Sequence, residues 1–303
     1  MLEAAHKTVE HRKRAVALTS LAAAVALTGF KIVVGLATGS LGILAEAAHS
    51  GLDLVAAGAT YFAVCTSSRP PDRDHRYGHG KIENLSALFE SGLLLATCAW
   101  IIYAALRRMA GGRVEVEVTV WSFVVMVASM AIDWSRSRAL FRMARESNSQ
   151  ALEADALHFQ TDIWSSGVVI AGLICVKIAE WWPAVGWLRQ ADAVAALGVA
   201  GIAALVTIRL GMRTVAALMD AAPDDLEDRI VRTAETVDGV IDCHNVRFRY
   251  SGPTLFVDVH VSMDGRRSLA AAHEVADQVE TAIQSEWPGA DVTVHPEPGP
   301  LAG

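Results

Sequence analysis

Six long apolar segments dominate the first 219 residues of this chain. They cover residues 15–37, 41–66, 84–106, 117–140, 154–180 and 190–218. Because a helix crosses a membrane with about 20 mostly apolar residues, each segment predicts a spanning helix. Charged residues make up only 19% of the chain, whereas soluble domains carry about 25%. This composition excludes a disordered chain, a coiled-coil rod and an ordinary cytosolic enzyme.

The basic residues between the apolar segments predict the orientation. Alternate connecting stretches, 1–14, 67–81 and 136–145, hold four Lys or Arg each, and the loops on the other side hold none, three and one. Since Lys and Arg concentrate on the cytoplasmic side, both termini are predicted to be cytoplasmic. We expect an integral protein of a bacterial inner membrane, with residues 1–14 as a cytosolic segment and residues 15–219 as a six-helix transport domain in the lipid bilayer.

The last 84 residues have a different character. Their net charge is −10, against +3 for residues 1–219, and this acidic balance argues against a nucleic-acid partner. The pattern predicts helices over 223–237 and 268–283 and strands over 246–250, 254–261 and 291–295. We therefore expect a cytosolic α+β domain of order αββαβ over residues 220–298, with a flexible tail over 299–303.

Two spans contain the same polar pattern, in which a His is followed four residues later by an Asp. The second span holds His49 and Asp53, and the fifth holds His158 and Asp162. A spacing of four places both side chains on one helical face. An ionised Asp in mid-bilayer costs roughly 2.5–3.5 kcal/mol, so the two spans need a shared partner or an internal one.

A divalent cation would supply the shared partner. Two imidazole nitrogens and two carboxylate oxygens form a tetrahedral set that suits Zn²⁺. The alternative is that His and Asp pair within each helix and only hold the bundle together. Because the pattern occurs twice, we favour a metal path through all four side chains.

Other charged residues lie within the spans. Glu46 and Asp155 are expected nearer the membrane face and are not assigned as ligands. Asp133 is expected to form a structural ion pair with Arg136, and Glu90 is either a packing residue or a proton-handling group. Basic residues in or near the spans are expected to snorkel towards the interface: Lys31, Lys177 and Arg209.

These motifs bring a known family into view. The chain resembles the cation diffusion facilitators, six-span antiporters of divalent metal and protons with a cytosolic domain. The resemblance is carried by the two HxxxD motifs and by the loop that runs from Asp72 to Glu83 with the sequence DRDHRYGHGKIE. It covers nearly the whole length. A His in the second-span motif is similar to zinc-type members, which favours Zn²⁺ over Cd²⁺, Co²⁺, Ni²⁺ or Fe²⁺ without excluding them.

The resemblance also implies roles for residues outside the spans. Asp72, His75 and His79 of the cytosolic loop match a second metal site, and a short helical turn would align the two His. Lys81 would pair with Asp220 at the end of the sixth span. The cytosolic domain would bind a zinc cluster at a dimer contact through a further set of residues: His244, His260, His273, His295 and Glu297. Glu297 stands where Asp is common in the family.

The combined prediction is a homodimeric exporter of Zn²⁺ that uses protons as the counter-substrate, with Zn²⁺ also acting as a regulatory ligand of the cytosolic domain. An intramembrane metalloenzyme is disfavoured, because the HExxH motif is absent: the segment from His273 ends in Asp277 at its fifth position. A membrane metal sensor that transports nothing stays as an alternative. The four cysteines form no CxxC pair, which argues against a disulfide framework or a thiolate zinc site.

Overall fold

The computed structural model describes residues 2–109, 120–181, 191–221 and 225–299. The start of the predicted helix over 223–237 and most of the predicted tail lie outside these residues. The chain divides into two compact units. One comprises Val9–Ser68 and Ile82–Thr214; the other comprises Met1–Thr8, Arg69–Lys81 and Val215–Gly303. Each is described by itself.

Six long helices account for the described part of the first 221 residues. They are α1 (Leu2–Thr38), α2 (Leu41–Ser67), α3 (Lys81–Met109), α4 (Val120–Ser147), α5 (Gln150–Trp181) and α6 (Ala191–Leu218). Within the described residues, three stretches are apolar and long enough to cross a membrane on composition alone: Thr8–Thr38, Lys81–Arg107 and Val194–Leu218. The helices α2, α4 and α5 have similar lengths but carry the polar residues of the site described below.

The first helix starts much earlier than its apolar segment. The sequence predicted a start at residue 15, but α1 begins at Leu2. Its charged turns are helical because they have partners: Arg12 forms an ion pair with Glu146 at 2.8 Å, and Lys13 pairs with Glu83. The second helix begins at a cap, where the Ser40 hydroxyl accepts the Ile43 N–H, as expected for Ser at an N-cap.

The apolar centre of the membrane unit lies between α4 and α5. Leu140 and Met143 of α4 pack against Leu152 and Phe159 of α5, and Val64 of α2 joins them. This packing fixes α5 along α4 and positions the polar face of α5 towards α2.

The C-terminal unit has the predicted αββαβ order, which confirms the fold class. It consists of α7 (Leu226–Glu235), β1 (Asp242–Ser251), β2 (Thr254–Met263), α8 (Leu269–Glu286) and β3 (Asp291–Pro298). The sheet order is β1-β2-β3, with β1 antiparallel and β3 parallel to β2. Apolar residues of all three layers form its core, among them Ile230, Val257, Val261, Val279 and Ile283.

The first strand is longer than predicted. It begins at Asp242 and not at residue 246, and its register with β2 shifts between His244 and Arg247. Asn245 occupies this bulge with a φ of 50°, a left-handed conformation that Asn tolerates better than most residues. The bulge breaks the alternation of apolar and polar residues, which is why the sequence pattern missed the start of the strand.

Candidate metal centre

The two HxxxD motifs meet between α2 and α5. His158 Nε2 lies 3.1 Å from Asp53 Oδ1 and 3.5 Å from Asp162 Oδ2. His49 Nε2 lies 3.8 Å from Asp162 Oδ1 and 3.9 Å from Asp53 Oδ1. We call this set, formed by His49, Asp53, His158 and Asp162, the four-ligand site.

The spacing of these atoms fits a small cation. In a tetrahedral site with ligand bonds of about 2.0 Å, neighbouring ligand atoms are about 3.3 Å apart. The observed separations of 3.1–3.9 Å need to contract by only a few tenths of an ångström. Ligand atoms of His49, Asp53 and Asp162 all lie within 4.8 Å of one another. The arrangement is therefore able to hold a divalent cation between two nitrogens and two oxygens.

A cavity of about 740 Å³ reaches all four residues of the site. Its remaining lining is mostly apolar and comes from α3, α5 and α6, with three hydroxyls: Thr97, Thr161 and Ser165. The His49 side chain is 40% exposed and the His158 side chain only 4%. One ligand histidine thus faces the open cavity and the other faces the protein interior.

Lys31 of α1 contacts α2 one turn from the site. Its ammonium donates to Glu46 Oε2 at 2.8 Å and to Ser50 Oγ at 2.7 Å, and Thr28 Oγ1 donates to the Ser50 carbonyl oxygen at 3.0 Å. Lys31 is 4% exposed, so the expectation that it snorkels was wrong. It is paired with an acid fifteen residues away, across the connection between two helices, and spacing within one helix could not reveal that pair.

A second polar layer lies behind the site. Arg136 of α4 pairs with Asp133 at 3.2 Å, which is the predicted structural ion pair. The same guanidinium donates to Ser20 Oγ from Nη2 at 3.1 Å, and Ser20 donates to Asp155 Oδ2 at 3.3 Å. Asp155 is 1% exposed rather than near the membrane face, so that expectation was also wrong. No motif indicated Ser20, because a lone Ser in an apolar segment is common.

Glu90 of α3 is a buried carboxyl of the same bundle. It is 1% exposed and accepts a hydrogen bond from Thr60 of α2. Its other oxygen has no hydrogen-bond partner among the described residues. Both interpretations of Glu90, packing or proton handling, are compatible with this position.

The loop residues of the C-terminal unit also cluster. Asp72 Oδ1 lies 3.3 Å from His75 Nδ1, and Asp72 Oδ2 lies 3.3 Å from His79 Nε2. No helix occupies residues 69–80; the two His are brought together by turns, with the His75 and Asp74 N–H groups donating to Asp72 Oδ1. These hydrogen bonds, that from His75 first, lower the pKa of Asp72 and keep its carboxylate available as a ligand.

The same loop is held against the strand hairpin of its own unit. The Tyr77 ring packs edge-on to Phe256 at 5.5 Å between centroids, and the guanidinium of Arg249 lies 4.0 Å from the Tyr77 centroid. Lys81 Nζ donates to Asp220 Oδ1 at 2.8 Å. The pair predicted from the resemblance is therefore present in the structure.

Three neighbouring strands bring histidines to one end of the sheet. His244 pairs with His260, and His260 with His295. Glu297 Oε1 lies 2.7 Å from His260 Nδ1, and Glu297 Oε2 lies 3.3 Å from His244 Nε2. His260 is the main cause of the lowered pKa of Glu297, with His244 adding to it.

Two residues at this end of the sheet differ from the sequence-based prediction. His273, on α8, is exposed and lies 3.7 Å from Asp277 rather than with the other histidines, so its membership of the cluster stays a prediction. Asn245, which no motif indicated, places Nδ2 3.1 Å from His260 Nε2. The bulge in β1 puts Asn245 there.

Known proteins with similar sequences are cation transporters. Residues 17–219 match the family described as cation efflux transmembrane domain, and residues 222–299 match the cytoplasmic domain of cation efflux proteins, ZT_dimer. The cation-efflux pump FieF of Yersinia enterocolitica is 33% identical over 288 residues, which is 94% of this chain and 92% of the relative. The FieF pump of Yersinia pestis (strain Pestoides F) is 33% identical over 290 residues, with the same coverage of 94% and 92%. A solved cadmium form of the MamM CTD is 26% identical and covers 25% of this chain and 98% of its own, with a TM-score of 0.25.

Proposed function

The chain belongs to the cation efflux family, and on this premise we propose that it exports Zn²⁺ from the cytosol in exchange for protons through the four-ligand site. Membership makes it an integral membrane cation efflux transporter and not an enzyme, with a cytoplasmic C-terminal domain of the dimer-forming class. The proposal adds the metal, the counter-ion and the residues that bind them.

The donor set supports Zn²⁺ as the substrate. Two imidazole nitrogens and two carboxylate oxygens stand 3.1–3.9 Å apart, and Zn²⁺ accepts such ligands in tetrahedral geometry. Divalent Co, Ni and Cd compete for the same donors, because affinity follows the ion as well as the site. This single juxtaposition of two motifs, 105 residues apart in the sequence, carries the proposal.

The chemistry of histidine supports protons as the counter-ion. An imidazole binds metal only in its neutral form, so protonation and metal binding compete at the same nitrogen. His49 faces the cavity, where it would take up a proton from solution as the cation leaves. The return of the protonated site to the cytosolic side would complete one exchange cycle without any covalent step.

The position of the cavity supports a direction of transport. It reaches the ligands from the end of the bundle that holds Ile101, Ser165 and Ala196. The start of α6 lies at this end, and the end of α6 leads into the cytoplasmic domain, so we assign the cavity to the outer side. In this assignment the structure represents the outward-facing state, with the N-terminus in the cytoplasm and the protein in a bacterial inner membrane.

We further propose that Zn²⁺ binds two cytosolic sites as a regulatory ligand. The loop site offers Asp72, His75 and His79, and the sheet site offers His244, His260 and Glu297; in each set the ligand atoms lie within 4.8 Å of one another. Carboxylates with a lowered pKa, Asp72 and Glu297, remain ionised well below neutral pH and need no deprotonation before metal binds.

Flux in proteoliposomes tests the transport site. Liposomes containing the full chain and a zinc-sensitive dye are given an inward Zn²⁺ gradient and a pH gradient, and the initial rate is recorded. Asp53→Asn and Asp162→Asn are expected to abolish saturable flux. Glu153→Gln is the matched control on α5, since its carboxylate pairs with Arg213 outside the site. Wild-type flux in Asp162→Asn would refute the site.

Two further arms separate the metal from the proton. Collapse of the pH gradient is expected to stop uphill Zn²⁺ movement; uphill movement that persists would refute proton exchange while leaving zinc transport intact. Competition by Cd²⁺, Co²⁺, Ni²⁺ and Fe²⁺ ranks the substrates, and His49→Asp, which replaces a nitrogen by oxygen, is expected to lower the preference for Zn²⁺.

A further inference from the structure

The two nitrogens of His158 have opposite surroundings. Nε2 faces the carboxylates of Asp53 and Asp162 at 3.1 and 3.5 Å. Nδ1 is buried and has no hydrogen-bond partner among the described residues. When a neutral imidazole binds a cation through Nε2, its single proton sits on Nδ1. A buried N–H of this kind needs an acceptor, and metal-binding histidines usually donate to a carboxylate, a carbonyl or water.

Asp155 is the acceptor that the fold offers. It precedes His158 by three residues on α5, so both side chains lie on the same helical face. Asp155 is 1% exposed; its Oδ2 accepts from Ser20 Oγ at 3.3 Å, whereas its Oδ1 has no partner among the described residues. A buried donor without an acceptor and a buried acceptor without a donor are therefore one helical turn apart.

Neighbouring groups hold this carboxylate and the His158 turn in place. Arg136 donates from Nε and Nη2 to Ser20 Oγ at 3.3 and 3.1 Å, which brings a positive charge close to Asp155 through one hydroxyl. The Arg136 guanidinium also lies 3.6 Å from the centroid of Phe159, the residue after His158. The positive charge favours an ionised Asp155, and an ionised carboxylate is the stronger acceptor.

We propose that Asp155 is a positioning residue of the four-ligand site, whose free Oδ1 accepts the Nδ1–H of His158, directly or through one water. The bond fixes the tautomer and ring orientation that turn the Nε2 lone pair towards the cation. The inference rests on the proposed function, because it takes His158 as a ligand. It also explains why an acid stands three residues before the His of the fifth-span motif.

Glu90 is the competing acceptor. Its unpaired oxygen is also buried, and Ala87, one turn earlier on α3, packs against Ala154 and Leu157 of α5. No Lys or Arg among the described residues forms an ion pair with Glu90, so we assign it the protonated state and Asp155 the ionised one. A protonated Glu90 is a poorer acceptor than the carboxylate of Asp155.

The Zn²⁺ concentration dependence of flux tests the inference. In proteoliposomes of the full chain, Asp155→Asn keeps the shape of the side chain but removes its charge. We expect KM for Zn²⁺ to rise about tenfold, and up to about 100-fold in Asp155→Leu, the range found when such supporting partners are removed. The kcat is expected to stay within about twofold in Asp155→Asn. A purely structural role would lower kcat and the thermal midpoint and leave KM unchanged.

The remaining variants make each failure distinct. Glu90→Gln and Glu153→Gln are expected to keep the wild-type KM; a raised KM in Glu90→Gln with a wild-type KM in Asp155→Asn would overturn the assignment. If Asp162→Asn is inactive while Asp155→Asn has the wild-type KM, only this inference fails. If Asp162→Asn itself transports normally, the four-ligand site and the inference fail together. Should Asp155→Leu not fold, the Asp155→Asn result decides.

Discussion

The ammonium of Lys13 and the carboxylate of Glu83 form an ion pair in which neither side chain has any exposed surface. Ser67 and Ser149 also donate to this carboxylate, so α1, α2, α3 and the start of α5 meet at one acidic group. Glu83 lies in the first turn of α3, more than two turns before the cavity-lining part of that helix. The pair therefore closes the bundle at the end that the cavity does not reach.

Removing the lysine from this pair is predicted to be strongly destabilising. Lys13→Met leaves the Glu83 carboxylate buried without a counter-charge, and breaking buried pairs in this way costs about 3–5 kcal/mol. Lys13→Met combined with Glu83→Gln is expected to recover most of the loss, because no buried charge remains. Thermal unfolding of the detergent-solubilised protein, followed by tryptophan fluorescence, measures both.

The neighbouring residue supplies the control. Arg12 pairs with Glu146 at 2.8 Å, but both side chains are well exposed, and exposed pairs contribute about 0–1 kcal/mol. Arg12→Met is expected to shift the unfolding midpoint only slightly. If Lys13→Met costs no more than Arg12→Met, burial is not what gives the Lys13 pair its weight.

A second prediction concerns the contact between the loop and the strand hairpin. A Cβ added to Gly80 would lie 2.1 Å from the carbonyl oxygen of Ser251, which is backbone and cannot turn away. Gly80→Ala is expected to lift the loop from the hairpin and to speed amide exchange over residues 69–81, measured by hydrogen–deuterium exchange. Gly92→Ala on α3 meets nothing within 4 Å and is the control. Unchanged exchange in Gly80→Ala would mean that the loop is not anchored there.

The sequence predicted what depends on spacing within one element. The His-to-Asp interval placed each ligand pair on one face, and the structure brings those faces together between α2 and α5. The pairing of His260 with both His244 and His295 also follows once the strand order is known. In both cases local periodicity carries the information.

Contacts between elements could not be predicted from the sequence. Lys31 looked like an isolated lysine in an apolar segment, yet Glu46 neutralises it from the next helix. Likewise Ser20 joins Arg136 to Asp155 across three helices, and nothing in the spacing of these residues indicates that they meet. Such pairs depend on how helices rotate against one another, which is set by apolar packing distributed over the whole bundle.

The third prediction concerns acid sensitivity of the sheet site. His260, and to a lesser extent His244, lower the pKa of Glu297. A carboxyl whose folded pKa lies below its unfolded value, about 4.3, stabilises the folded state above that value. This stability is lost as the pH falls through the lowered pKa. With metal removed, Glu297→Gln is therefore expected to flatten the fall in the thermal midpoint below about pH 4.3.

Glu286 provides the matched control for this titration. Thr233 and Arg229 lower its pKa at a place away from the histidines. Glu286→Gln is expected to flatten the same acid limb, but to leave zinc protection at neutral pH intact, whereas Glu297→Gln is expected to reduce it. Identical behaviour of the two variants with and without Zn²⁺ would argue that Glu297 has no part in metal binding.

The fourth prediction concerns Cys243, next to His244 in the sheet site. Burial raises the pKa of its thiol to about 11, and the nearby carboxylates of Glu235 and Asp242 add to the shift. At pH 8 only about one molecule in a thousand would carry the reactive thiolate. Cys243 is 5% exposed, so the native protein is expected to resist iodoacetamide for hours at this site.

Peptide mass spectrometry after timed alkylation separates Cys243 from the other three cysteines. In denaturant the thiol regains its ordinary pKa of about 8.5, and labelling at pH 8 should then be complete within minutes. Native labelling within tenfold of the denatured rate would show that the strand carrying Cys243 opens readily. Slow native labelling that is unaffected by Zn²⁺ would place Cys243 on the core side of β1, with His244 alone facing the metal.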